Sequence, residues 1–103
     1  MSNDTDLGGA NLSNSHLVGC RLIKTILHDA ELRGVNLEKA DLSNADLGGA
    51  NLSNKSRLVG GKLIKTRLNN TQLIDVNLQS ADLSGADLTG ANLSNSFLHS
   101  IPG

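Results

Sequence analysis

The sequence predicts an all-β solenoid, a chain that turns a corner every five residues and stacks its turns into one column. Three observations predict it. All 19 leucines keep one five-residue beat, from Leu7 to Leu52 and, after one extra residue, from Leu58 to Leu98. The residue two before each Leu is Ala, Ser, Thr, Gly, Cys or Val without exception, and all eight alanines fall in that slot. The period suits neither standard element. On an α-helix, at about 100° per residue, leucines five apart would wander over every face. On a flat strand, where side chains alternate, they would point to opposite sides in turn. A chain with a corner every five residues gathers them all. Leu (position i) and the small residue at i−2 point inward, while i−1, i+1 and i+2 face water.

The elements follow in order. Residues 1–4 form a short polar N-terminal tail. Residues 5–100 carry the repeats, with a one-residue insertion at Lys55, and residues 101–103 form the C-terminal tail. Within the five-residue beat lies a longer one. Asp6 to Asn14 recurs unchanged at Asp46 to Asn54, and Ser15 to Thr25 recurs with three changes at Ser56 to Thr66. The offset grows from 40 to 41 residues because of Lys55, which follows the i+2 residue Asn54 and so sits at a corner. A bulge there leaves the Leu columns on both sides in register.

The repeats spell out Ala10-Asn11-Leu12, Ala40-Asp41-Leu42, Ala45-Asp46-Leu47, Ala50-Asn51-Leu52, Ala81-Asp82-Leu83, Ala86-Asp87-Leu88 and Ala91-Asn92-Leu93. In this the chain closely resembles the pentapeptide-repeat family, whose motif is A-(D/N)-L-x-x, over nearly its whole length. The resemblance implies a right-handed, quadrilateral parallel β-helix with four pentapeptides per coil. Nineteen repeats then make about 4.75 coils. Stacked at roughly 4.8 Å, they give a rod on the order of 23 Å long. A solenoid with one Leu per side buries a continuous column that no single repeat could bury alone.

Composition narrows the function classes. The formal charge is −1, so no global field steers the chain to nucleic acid or membrane. One Phe, no Tyr and no Trp leave base stacking and aromatic hot spots without their side chains. Cys20 is the single cysteine and occupies an i−2 slot, which predicts a small buried hydrophobe and favours a reducing compartment. With no apolar signal core and no stretch of transmembrane length, the expected location is the cytoplasm. His16, His28 and His99 fall on different faces or distant coils, so no metal site and no cofactor is expected. The abundant Asp and Asn at i−1 lie on flat outer faces, where no cleft would raise a pKa. The expectation is that this is not an enzyme.

Stacking by fours lets the outer faces be read column by column. Arg21, Asp41, Lys62 and Asp82 make an alternating charge ladder, and Asn11, Glu31, Asn51, Gln72 and Asn92 an amide-rich column of the kind that supports stacked strands. The candidate protein-contact patch is Val18, Ile23, Lys24, Val59, Ile64 and Lys65, outward residues that the duplication preserved as a set. Phe97, Ile101 and Pro102 are the candidate cap over the C-terminal end, and an end-to-end homodimer is the alternative way to cover an open coil. The function expected is a non-catalytic structural scaffold or protein-binding module, with an unidentified protein partner and no direct nucleic-acid or membrane binding. The alternative comes from the resemblance. Some members of the family mimic duplex DNA, bind DNA gyrase and other type II topoisomerases, and protect them from quinolones. Those members are typically strongly acidic, longer and dimeric through a C-terminal element. This chain departs in charge, length and tail.

Overall fold

The computed structural model describes residues 5–97. Each pentapeptide contributes one short extended segment and one corner. Segments pair in parallel with the segment one coil away: Asp6 with Ile26, Asn11 with Glu31, His16 with Asn36 and Arg21 with Asp41. The step is 20 residues, 21 where it spans Lys55 (Asn36 with Arg57), and 20 again afterwards (Arg57 with Asn77). Four pentapeptides therefore close one coil. The four faces are named here by their first leucines, Leu7, Leu12, Leu17 and Leu22.

Three backbone hydrogen bonds tie each face to the next coil, except beside the Lys55 insertion, where Asn54 N–H makes none. On the Leu7 face, Leu27 N–H donates to Asp46 C=O at 2.7 Å and Asp29 N–H to Gly48 C=O at 2.9 Å, while Asp46 N–H donates back to Thr25 C=O at 3.0 Å. Outside the Lys55 bulge the described corners share one form. The Leu carbonyl accepts from the residue three ahead, as in Ala30 N–H to Leu27 C=O at 3.1 Å, and the i+2 residue has positive φ. That is the pattern of a type II turn. Glycine adopts it freely, but Asn, Asp, Lys and Ser also hold it here, including Lys24, Lys39 and Lys65.

The core is the leucine column. Leu22 to Leu78, twelve in all, are 1% exposed or less, with Ala30, Ala40, Ala45, Ala50 and Ala81 beside them at the i−2 slot. Three of the four fully buried hydroxyls in that slot are paired: Thr66 Oγ1 donates to Leu42 C=O at 2.7 Å, Thr71 Oγ1 to Leu47 C=O at 2.8 Å and Ser56 Oγ to Leu32 C=O at 3.0 Å, while Thr25 Oγ1 has no partner among the described residues. A buried hydroxyl is tolerated because the solenoid brings a carbonyl to it. Leu7, Leu12 and Leu17 at one end, and Leu83, Leu88 and Leu93 at the other, are only partly buried. Cys20 belongs with the first group. It is free and half-buried rather than fully buried, because among the described residues no segment stacks on its N-terminal side.

The corner after the Leu7 face alternates Gly9, Asp29, Gly49, Asn70 and Gly90. Asp29 lays its carboxylate oxygen over Gly49, and Asn70 lays its amide oxygen over Gly90, where a Cβ would collide. Glycine is required at these two positions for space as well as for φ.

Candidate protein-contact surfaces

Outward side chains are held by the same ladder, and the i−1 residues act locally. Asn11 Oδ1 accepts from Ser13 N–H at 3.1 Å, Asn51 from Ser53 at 3.0 Å and Asn92 from Ser94 at 3.1 Å. These bonds run along one face, two residues on, not between coils. The expected amide stack is thus a set of Asx turns that straighten each face. Aspartates do the same. Asp41 accepts from the Ser43 backbone at 3.1 Å and its hydroxyl at 2.7 Å, and Asp82 from Ser84 at 3.0 and 2.6 Å.

These bonds set the electrostatics. At Asp41 burial acts to raise the pKa, but the Ser43 bonds and the charges of Lys62 and Arg21 outweigh it and hold the carboxyl low. Asp82 is held low by Ser84 and then Lys62, and Asp87 by Thr89 and then Arg67. Arg21, Asp41, Lys62 and Asp82 do stack in successive coils, as the sequence predicts. Among the described residues none of them forms an ion pair within 4 Å; those pairs are Arg57–Glu38 at 3.1 Å, Arg33–Glu31 at 3.5 Å and His28–Asp29 at 3.8 Å. Also among the described residues, no group of His, Cys, Asp and Glu is placed to hold a metal ion.

The Val/Ile/Lys set lies on the two faces expected, but not as one continuous patch. Val18 is 54% exposed, while Ile23, Val59 and Ile64 are half-buried and Lys24 and Lys65 exposed. A 40-residue duplication spans two coils, so each duplicate stands two steps, about 9.6 Å, from its original. Between Val18 and Val59 comes Glu38, which Arg57 pairs, and between Ile23 and Ile64 comes Ser43. The surface is a checkerboard of aliphatic and polar side chains. The signal was already in the 20-residue register, which places Glu38 and Ser43 in those columns.

Phe97 does not cap the coil. It pairs with Asn77 as the last outward rung of the Leu17 face and is 65% exposed. As an i−1 residue it points away from the leucine column. Ile101 and Pro102, the rest of the expected cap, lie outside the described residues. Phe97 instead borders a shallow groove of about 490 Å³ with Lys55, Arg57, Asp75, Asn77 and Asn95. Column reading alone missed this groove, because the Lys55 bulge adds a side chain that belongs to no column.

The comparisons with known proteins agree with this geometry. The family profile described as Pentapeptide repeats matches in eight copies, over residues 3–38, 15–54 and 56–99. The chain belongs to the pentapeptide-repeat family. Members of that family form right-handed quadrilateral β-helices, which gives the hand of the coil. Among solved structures, a pentapeptide repeat protein from the Arabidopsis thaliana thylakoid lumen superposes with a TM-score of 0.92 at 28% identity, covering 95% of this chain and 68% of that one. A pentapeptide repeat protein from Nostoc PCC 7120 gives 0.72 at 28% identity, covering 84% and 83%. QnrB1, a plasmid-mediated fluoroquinolone resistance protein, gives 0.72 at 27% identity, covering 91% of this chain and 53% of its own. A comparison with curated protein sequences returns no match. The proteins it matches are repeat proteins rather than members of an enzyme family. Among the described residues no helix is long and apolar enough to cross a membrane.

Proposed function

We propose that the protein is a non-catalytic scaffold that binds a protein partner through its outer faces. The observation that carries this reading is the three-bond ladder on each face, which fixes outward side chains at one-coil intervals on a rigid support. The Leu17 and Leu22 faces are the proposed contact surface. There Val18, Ile23, Val59 and Ile64 alternate with Glu38 and Ser43, and Lys24 and Lys65 edge the corner. Such a surface suits a partner that reads a two-coil repeat. A cytoplasmic setting is part of the proposal and rests on the single unpaired cysteine, although a neighbour of the same fold comes from the thylakoid lumen. Self-association through the coil ends is proposed as a second mode of contact, since the terminal leucines are only partly buried.

The test is affinity capture from lysate with the native chain and with the Val18→Ser, Ile23→Ser, Val59→Ser, Ile64→Ser variant. A protein held by the first and lost with the second supports the reading. Equal capture by both removes this surface from it.

The similarity to QnrB1 favours one further reading, binding to DNA gyrase in the manner of a DNA mimic. Against it stand a net charge of −1 and the basic residues Arg21, Lys62 and Lys65, which interrupt any acidic stripe. Gyrase supercoiling inhibited by a fluoroquinolone, and restored when the protein is added, would put this second reading first.

A further inference from the structure

The bonds that join the coils are polar, and the two ends of the coil are therefore different surfaces. Within the ladder, each face sends two N–H groups toward the C-terminal side, from Leu and from the i+2 corner residue. It offers one carbonyl there, from the i−2 residue. Toward the N-terminal side it offers the reverse: two carbonyls, at i−1 and i+1, and one N–H, at i−1.

At the N-terminal end this leaves the N–H groups of Asn11, His16 and Arg21 without an acceptor among the described residues, beside carbonyls such as those of Asn11 and Ser13. At the C-terminal end it leaves the N–H groups of Leu88, Gly90, Leu93 and Asn95, and the carbonyls of Ala86 and Ala91, likewise unmatched. One end is rich in acceptors and the other in donors. Each also presents three partly buried leucines, Leu7, Leu12 and Leu17 against Leu83, Leu88 and Leu93. An edge of open backbone groups is a template for another chain.

We infer that the coil ends bind a second copy of this chain head to tail, C-terminal edge on N-terminal edge, in an open-ended stack. Only that orientation repeats the three bonds per face found inside the protein. Two C-terminal edges related by a two-fold axis would match the Leu N–H to the i−2 carbonyl and leave the corner N–H groups of Gly90 and Asn95 without acceptors. Two N-terminal edges would leave the i+1 carbonyls without donors. A head-to-tail contact does not close on itself, so it continues into a row of copies rather than stopping at two. This inference rests on the proposed self-association through the coil ends and adds its polarity. It does not depend on the Val/Ile surface.

Two variants block one end each. His16→Pro removes an N–H that makes no backbone bond among the described residues. Leu93→Lys puts a charge on the opposite edge. Circular dichroism establishes that each keeps the β-type spectrum, and sedimentation velocity over a hundredfold range of concentration reads the assembly. The native chain is expected to form species beyond the dimer as concentration rises. Each variant alone is expected to associate at least tenfold more weakly. An equimolar mixture is expected to form a one-to-one heterodimer and stop there, because each partner keeps the end that the other lost. If Leu93→Lys fails to fold, His16→Pro alone still tests the inference, since a small fraction of it should terminate and shorten native stacks. A native chain that stops at a dimer refutes the polarity and leaves self-association standing. A native chain that is monomeric at every concentration refutes both.

Discussion

Deleting Lys55 should make this protein more stable. The residue follows Asn54, and both hold left-handed backbone, at φ 68° and 71° respectively, whereas every other described corner needs one such residue. A left-handed non-glycine residue costs about 1 kcal/mol. The bulge also interrupts hydrogen bonding. The turn bond to the Leu52 carbonyl is missing, and so is the rung that would join Asn54 N–H to Ile74 C=O, although Gly34 N–H to Ser53 C=O at 3.1 Å and Asp75 N–H to Ser94 C=O at 3.0 Å are made on either side. Two restored bonds contribute about 1 kcal/mol each, less where water already serves the exposed corner. Removing Lys55 returns the step to 20 residues without moving any leucine out of its column, so the core is untouched. The expected gain is about 2–3 kcal/mol, or roughly 10–20 °C in melting temperature for a chain of this size. Urea denaturation followed by circular dichroism measures it. Lys55→Gly separates the causes, because it relieves the φ cost and leaves both bonds unmade; it should recover no more than about 1 kcal/mol. A deletion variant as stable as the native chain, or less stable, would refute the reasoning. Lys55 would then have to contribute contacts that outweigh strain and lost bonds.

Three further outcomes follow from the same geometry. Gly49→Ala and Gly9→Ala impose the same φ near +70°, but only Gly49 lies beneath Asp29 while Gly9 has open space around it. Both should lose about 1 kcal/mol to backbone strain; thermal melts should show a larger loss for Gly49→Ala, and equal losses would mean that Asp29 swings aside. Leu47→Asp puts a carboxylate among fully buried leucines and should abolish the folded β-type spectrum at neutral pH. Stability should be level above pH 4 and fall below it. Asp41, Asp82 and Asp87 have folded-state pKa values under the ordinary 3.8, so their contribution is full above that value and is lost as pH falls through the folded values. A melting temperature that holds steady down to pH 2 would contradict it.

The sequence by itself determined the solenoid, the residues that face inward and the four outward columns. The reason is that a five-residue period admits one geometry in which every leucine is buried, and the structure buries Leu22 to Leu78 in it. The sequence also placed Lys55 at a corner. Tertiary structure decided what depends on neighbours one coil away. The amide column proved to be Asx turns within a face, because each Asn or Asp reaches the N–H two residues on before it reaches the next coil. The Val/Ile set proved to be a checkerboard, because duplication by two coils inserts Glu38 and Ser43 between the copies. Phe97 proved to be an outward rung bordering the Lys55 groove, because chain direction at an i−1 position carries a side chain away from the core. Polarity of the coil ends belongs to the same class of facts. It follows from which way each N–H points in a parallel ladder, and only the stacked coils fix that direction.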